Sequence, residues 1–160
     1  MRQIRPYDAA DRDAISGVFY RAVHEGSAAF YTEAERAVWA PSPLASDRPD
    51  KLLDQWAWVA EQDGVVTGFI SLCPDGELDM LFVLPEVMGD GTAAQLYDTL
   101  LHQARAVGLA RLTVRASDLS HRFLTRRGWA LDGRERLEDA GEVFHLYLMS
   151  LNLTPIVAPE

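Results

Sequence analysis

The chain contains one cysteine, Cys73, so it can form no internal disulfide and no cysteine-built zinc cage. Set in an apolar stretch, that lone thiol reads as a small core residue rather than a nucleophile. Histidine does not fill the gap. His102 and His145 share no metal-like spacing with any other ligand, so no metal is expected. No apolar run approaches the roughly 18 residues of a membrane span, and residues 1–6 are followed by acids rather than an apolar signal core. The expectation is therefore a soluble, cytoplasmic protein with no membrane partner. Positive charge is also scarce. Fifteen Lys and Arg face 24 Asp and Glu, a net charge of −9, which argues against general nucleic-acid binding. Repeats, linkers and low-complexity segments are absent. So are the GxGxxG fingerprint and the P-loop lysine of common nucleotide sites.

The chain does have enough apolar material for a core. A hydrophobic fraction of 48% over 160 residues supports one domain spanning 1–160. Charge is unevenly spread: residues 1–100 hold 7 basic and 17 acidic side chains, and residues 101–160 hold 8 and 7. Arg105, Arg111, Arg115, Arg122, Arg126 and Arg127 cluster against Asp118 alone. Such a cluster suits a small phosphorylated ligand, and equally a solvated surface.

Residues 78–101 organise the rest. Residues 78–84 read as a strand closed by Pro85, which can neither continue a helix nor donate to a ladder. A turn rich in glycine runs from Glu86 to Ala93. Then Ala94, Leu96, Tyr97, Leu100 and Leu101 recur at spacings of three and four, forming one apolar helix face with Tyr97 in the core. A glycine turn feeding a helix start leaves backbone N–H groups unpaired and pointing one way. With the positive end of the helix dipole they make an anion site suited to phosphate. The same pattern also serves an ordinary strand-to-helix turn.

Before this unit the sequence predicts a strand over 2–5 and a helix through Val23 that ends near His24, Glu25 and Gly26. A capping box at Thr32 and Glu35 opens a short helix to Trp39, stopped by Pro41 and Pro43, and one or two helical turns follow over 47–54. Phe30, Tyr31 and Trp39 in this stretch are candidates to line a pocket. Asp63-Gly64 between β-rich runs is a hairpin signal, and Pro74-Asp75-Gly76 a second turn. After the long helix come a strand over 111–115, a helix capped by Ser117 and closed by Gly128, and strands over 129–131 and 143–151. The order is β-α-α-β-β-β-α-β-α-β-β, a mixed α/β arrangement rather than a doubly wound sheet.

Three stretches carry a family likeness. Val83-Leu84-Pro85 precedes Met88-Gly89-Asp90-Gly91-Thr92-Ala93. Ala116-Ser117 precedes Phe123 to Gly128-Trp129. Tyr31-Thr32-Glu33 leads to Trp39-Ala40-Pro41. Their order and spacing resemble the GNAT superfamily of acyl-CoA-dependent N-acyltransferases, in particular its small bacterial members, over nearly the whole chain. The family's pyrophosphate loop runs Gln/Arg-x-x-Gly-x-Gly/Ala. Gly91 and Ala93 fit it, Met88 stands where Gln or Arg is usual, and Asp90 replaces a residue that is often basic. The family's tyrosine acid falls at Leu124.

The resemblance implies a central, mostly antiparallel, twisted sheet of six or seven strands with helices on both faces. It implies acetyl-CoA as cosubstrate. The backbone of Leu81, Phe82 and Val83 would pair with the pantetheine arm like an added strand, and an N–H at a bulge in that strand would polarise the thioester carbonyl. Backbone N–H groups of Met88, Gly89, Asp90, Gly91, Thr92 and Ala93, with Ser117 nearby, would hold the cosubstrate, while the Asp90 carboxylate faces solvent. Acyl transfer to an amine needs a base. Glu77 and Asp79 are two residues apart on one strand face and are the candidates. Ser120 and His121 are candidates to replace the missing acid. His24, Tyr31 and Trp39 are candidates for the acceptor side, against ordinary capping and packing roles.

The expected activity is acetyl transfer from acetyl-CoA to a primary amine of a small molecule or peptide, by direct attack in a ternary complex. The acidic body favours a cationic acceptor. A non-catalytic acyl-CoA sensor and a protein-binding scaffold stay open as alternatives. The apolar last strand, with Phe144, Leu146 and Leu148, leaves a homodimer open as well.

Overall fold

The computed structural model describes residues 1–42 and 50–153. The turns expected over 47–54 therefore lie partly outside the described residues; their described part, Lys51–Asp54, is a 3-10 turn capped by Asp50. The elements are β1 (Arg2–Pro6), α1 (Arg12–Arg21), α2 (Glu33–Trp39), β2 (Trp56–Gln62), β3 (Val65–Leu72), β4 (Glu77–Val83), α3 (Thr92–Ala106), β5 (Arg111–Ala116), α4 (Asp118–Thr125), β6 (Ala130–Asp139) and β7 (Glu142–Asn152). This is the order read from the sequence. α1 runs on through a π-helical turn, Ala22–Gly26. The capping box forms at Thr32 and Glu35.

One sheet of order β1-β2-β3-β4-β5-β7-β6 holds all seven strands, and only β4 and β5 are parallel neighbours. Register fixes which helix covers which face. Phe69 lies opposite Phe82, and Phe82 meets Phe19 of α1 at 4.9 Å and Trp39 of α2 at 6.0 Å between ring centroids. Gly68 and its partner Val83 face the other way, toward Leu96 of α3. Tyr97 of α3 in turn meets Phe123 of α4 and accepts a hydrogen bond from Trp129 Nε1 at 2.8 Å. Helices thus cover both faces, α1 and α2 on one and α3 and α4 on the other. Leu96, Leu100 and Ala104 are fully buried at the α3 interface. Truncating such a leucine to alanine costs about 2–5 kcal/mol.

Two features of β4 place the site. Its pairing with β5 is limited to Glu77 with Thr113 and Leu78 with Val114, after which the strands part. At the base of this opening sits Gly76, with φ +99°, where a Cβ would lie 2.7 Å from the Arg111 carbonyl oxygen, so the strands can meet there only through glycine. On the other side, Leu72 opposes Leu78 while Ser71 opposes Met80, which leaves Asp79 as the extra residue of a β-bulge.

β6 is much longer than the three residues expected. Its sequence is charged and mostly exposed, and it pairs as an edge strand along β7. An edge strand needs no apolar alternation, and its charges protect it from further pairing.

Candidate active site

The opening between β4 and β5 is a cleft of about 240 Å³. Asp79, Leu81 and Phe82 line one wall and Val114 and Arg115 the other. Tyr31, Trp39 and Phe144 close the α2 side, and Ser117, Leu119, Ser120 and Leu124 the α4 side. A second cavity of about 230 Å³ shares Leu81, Phe82, Leu119 and Ser120 with it and continues to Val83, Met88, Gly89, Ala93 and Phe123. The two form one channel from the glycine turn to the α2 face, past the bulge.

At the glycine end, Gly91 takes φ +96° and starts α3. The turn itself consumes some of its donors. Met88 N–H donates to the Pro85 carbonyl and Asp90 N–H to that of Val87. The Asp90 carboxylate accepts from the Thr92 N–H at 2.9 Å and the Thr92 hydroxyl at 2.6 Å, and pairs with Arg2 at 3.1 Å. These contacts hold the Asp90 carboxyl below the usual range, the Thr92 hydroxyl contributing most. The six N–H groups expected from Met88 to Ala93 are therefore narrowed to those of Gly89, Gly91 and Ala93. These three, with Ala94, donate to no acceptor among the described residues. Arg127 stacks over Phe123 with its Cζ 3.5 Å from the ring centre. Arg111 and Arg115 are committed to Asp132 and Glu135.

At the other end, Asp79 is 19% exposed and pairs with Lys51 Nζ at 3.0 Å, while Gln55 Nε2 donates to it at 3.0 Å. Tyr31 accepts from the Asp118 N–H at 2.9 Å, and burial raises its phenol pKa. Ser117 caps α4 through the Leu119 N–H. The walls are mostly apolar. Arg115 is neutralised by Glu135 and Asp79 by Lys51, whereas Asp139 lines the cleft with no ion-pair partner among the described residues.

Several candidates separate here. Asp79, Ser120, Ser117, Tyr31, Trp39, Leu81 and Phe82 line the cleft, and Val83, Met88, Gly89 and Ala93 its continuation. Glu77 is outside the lining, because the bulge at Asp79 breaks the two-residue alternation that would put both carboxylates on one face. His121 is outside it too, stacked on Tyr147 with ring centroids 3.8 Å apart. His24 Nε2 lies 2.7 Å from the Ala40 carbonyl oxygen and ties α1 to the end of α2. Phe30 is exposed and lines neither the cleft nor its continuation. Lys51, Gln55 and Asp139 were not among the sequence candidates. Lys51 and Gln55 reach Asp79 from the one segment before β2, Asp139 lines the cleft from β6, and no motif marks them.

A sheet parted beside a bulge thus carries one channel, with a carboxylate at one end and free helix-start N–H groups at the other. A family model described as an acetyltransferase (GNAT) domain matches residues 28–151. The uncharacterized N-acetyltransferase YafP of Escherichia coli K12 is 31% identical, over 92% of this chain and 93% of its own. Among solved structures, a GCN5-related N-acetyltransferase from Rhodopseudomonas palustris superposes with a TM-score of 0.87 at 30% identity, over 96% of each chain. The protein yncA of Salmonella typhimurium, solved with its cofactor acetyl-CoA, superposes with a TM-score of 0.68 at 23% identity over 100% of this chain and 98% of its own. The chain belongs to the GNAT acetyltransferase family and is an acyltransferase.

Proposed function

We propose that the protein transfers an acetyl group from acetyl-CoA to a primary amine carried on a compact apolar body, by direct attack in a ternary complex. The observation that carries this reading is the bulged Asp79 on the wall of an apolar cleft that continues to the glycine turn. N–H groups of Gly89, Gly91, Ala93 and Ala94 would hold the pyrophosphate, and the unpaired edge of β4 beyond Leu78 would receive the pantetheine amides. The Asp79 carboxylate would take the ammonium proton, and a backbone N–H at the bulge would stabilise the oxyanion. Ser120 is the hydroxyl that both cavities share, so it is the proton source beside the leaving thiolate.

The acceptor follows from the walls. A cleft of about 240 Å³ falls below the roughly 300–1,000 Å³ of drug-sized pockets. Tyr31, Trp39, Phe82 and Phe144 offer rings to an apolar body, and Asp139 adds a negative charge for a cation. A polyamine or aminoglycoside would strand further charges against those rings at a desolvation cost. The test is thiol release from acetyl-CoA with a panel of arylalkylamines, alkylamines, amino acids, polyamines and aminoglycosides. Arylalkylamines and alkylamines are expected to turn over best. Preferential turnover of polycations would overturn the acceptor assignment, and no turnover with any amine would overturn the activity.

A further inference from the structure

Lys51 is the only lysine in the chain, and its Nζ lies 3.0 Å from Asp79 Oδ2. That carboxylate lines the cleft at the bulge where β4 leaves β5. An acceptor amine must bring its nitrogen to the same carboxylate, and Lys51, which is not itself among the residues lining the cleft, already pairs with that carboxylate from the segment before β2. Its side chain is 57% exposed and rises from a single 3-10 turn, Lys51–Asp54. Four methylene groups separate its nitrogen from the backbone, and rotation about them lets the nitrogen swing over Asp79 without moving the fold. The Met1 nitrogen pairs with Asp63 in the β2–β3 turn, at the opposite end of β3 from the bulge.

We propose that Lys51 is an acetylation site served in cis by the protein's own cleft, an inference that rests on the acyl-transfer reading of that cleft. The Lys51 ammonium gives one proton to the Asp79 carboxylate, and its lone pair forms a bond to the thioester carbonyl carbon. The C–S bond then breaks. The sulfur leaves with the bonding electrons and takes the proton of the Ser120 hydroxyl, which recovers it from the second proton of the amine, giving CoA thiol and Nε-acetyl-Lys51. The amide carries no charge, so the ion pair is lost and, among the described residues, Asp79 keeps the Gln55 amide as its side-chain partner.

The test is incubation of the full-length protein with acetyl-CoA, followed by intact mass and peptide mapping, with thiol release to added amines measured on the same preparation. One acetyl group on Lys51 is expected, formed at a first-order rate that is unchanged on dilution of the protein. Asp79→Asn should slow it by about 100-fold, the lower range for loss of a general base, and Lys51→Arg should carry no acetyl group there. The Met1 amine should label no faster than in the unfolded chain. Thiol release to added amines with Lys51 unmodified would overturn this proposal and leave the acyl-transfer reading standing. So would Lys51 labelling that matches the unfolded chain or persists in Asp79→Asn. Absence of both thiol release and Lys51 acetylation would overturn both readings.

Discussion

The two ends of the channel are built from different materials. The glycine end is one continuous stretch, in which a strand, a turn and a helix start present main-chain N–H groups, and φ +96° at Gly91 sets their direction. The Asp79 end is assembled from side chains of α2, β4, β5, α4, β6 and β7, together with Lys51 and Gln55 from the segment before β2. A main-chain site depends on backbone conformation and tolerates change in the side chains around it. A side-chain site depends on each group that reaches it. Substitutions should therefore act sharply at one end, and at the other only where they disturb the backbone or add charge.

The largest effect is expected from Asp79→Asn. If this carboxylate takes the ammonium proton, kcat should fall by about 10²–10⁴-fold, while the dissociation constant for acetyl-CoA changes by less than about twofold. Steady-state thiol release and calorimetry on one preparation check both halves. Loss of acetyl-CoA binding in this variant would erase the division between the ends. Gly91→Glu should come next. It places a side chain at a φ that costs a non-glycine residue about 1–2 kcal/mol and adds a carboxylate beside the free N–H groups. Calorimetry should then read acetyl-CoA binding weakened by about tenfold or more, equal to about 1.4 kcal/mol. Unchanged affinity in a folded variant would remove the phosphate cradle from the mechanism.

The division also explains what could be read before the fold was known. The order of elements along the chain and the glycine turn before α3 were legible, because Val83-Leu84-Pro85 and Gly89 to Ala93 are contiguous and their chemistry is that of the backbone. Pairing Glu77 with Asp79 failed at the bulge, since a single inserted residue resets alternation and leaves no mark in composition. The loss of donors at Met88, Asp90 and Thr92 was equally hidden. It depends on turn hydrogen bonds and on Asp90 folding back onto the helix start. Lys51 and Asp79 are 28 residues apart in sequence, and only the fold, with the Lys51 side chain reaching from the 3-10 turn to β4, brings them within 3.0 Å.

A smaller effect should report the field at the Asp79 end. Cys73, partly buried beside the turn into β4, has its thiol pushed up to about 11 from an ordinary 9.0, first by burial and then by Asp79, Glu77 and Asp75. A thiolate absorbance titration should place its midpoint near 11, and reaction with thiol reagents at neutral pH should be slow. Folding favours the protonated thiol. The stability it contributes is therefore complete below about pH 9 and is lost as pH rises toward 11, where the unfolded chain has released a proton that the folded chain keeps. Asp79→Asn should lower the midpoint by a fraction of the shift, since burial is the larger cause. A midpoint at 9 would mean that this end is better solvated than its geometry implies.

The smallest effect is expected from Met88→Gln, which restores a residue usual in the family's pyrophosphate loop. Met88 lines the second cavity, but its own N–H is bonded to Pro85 and its side chain reaches back toward Gly26, where a Cβ would sit 2.3 Å from its terminal carbon. The phosphate donors left in the turn are the main-chain groups of Gly89, Gly91, Ala93 and Ala94, none of which needs the side chain at 88. Acetyl-CoA affinity should therefore change by less than about threefold, under 0.7 kcal/mol. A gain beyond about tenfold would mean that the glycine end also works through its side chains, and that methionine at this position weakens cosubstrate binding. A change within threefold, set beside a large loss in Gly91→Glu, would leave backbone geometry as what the cosubstrate reads there.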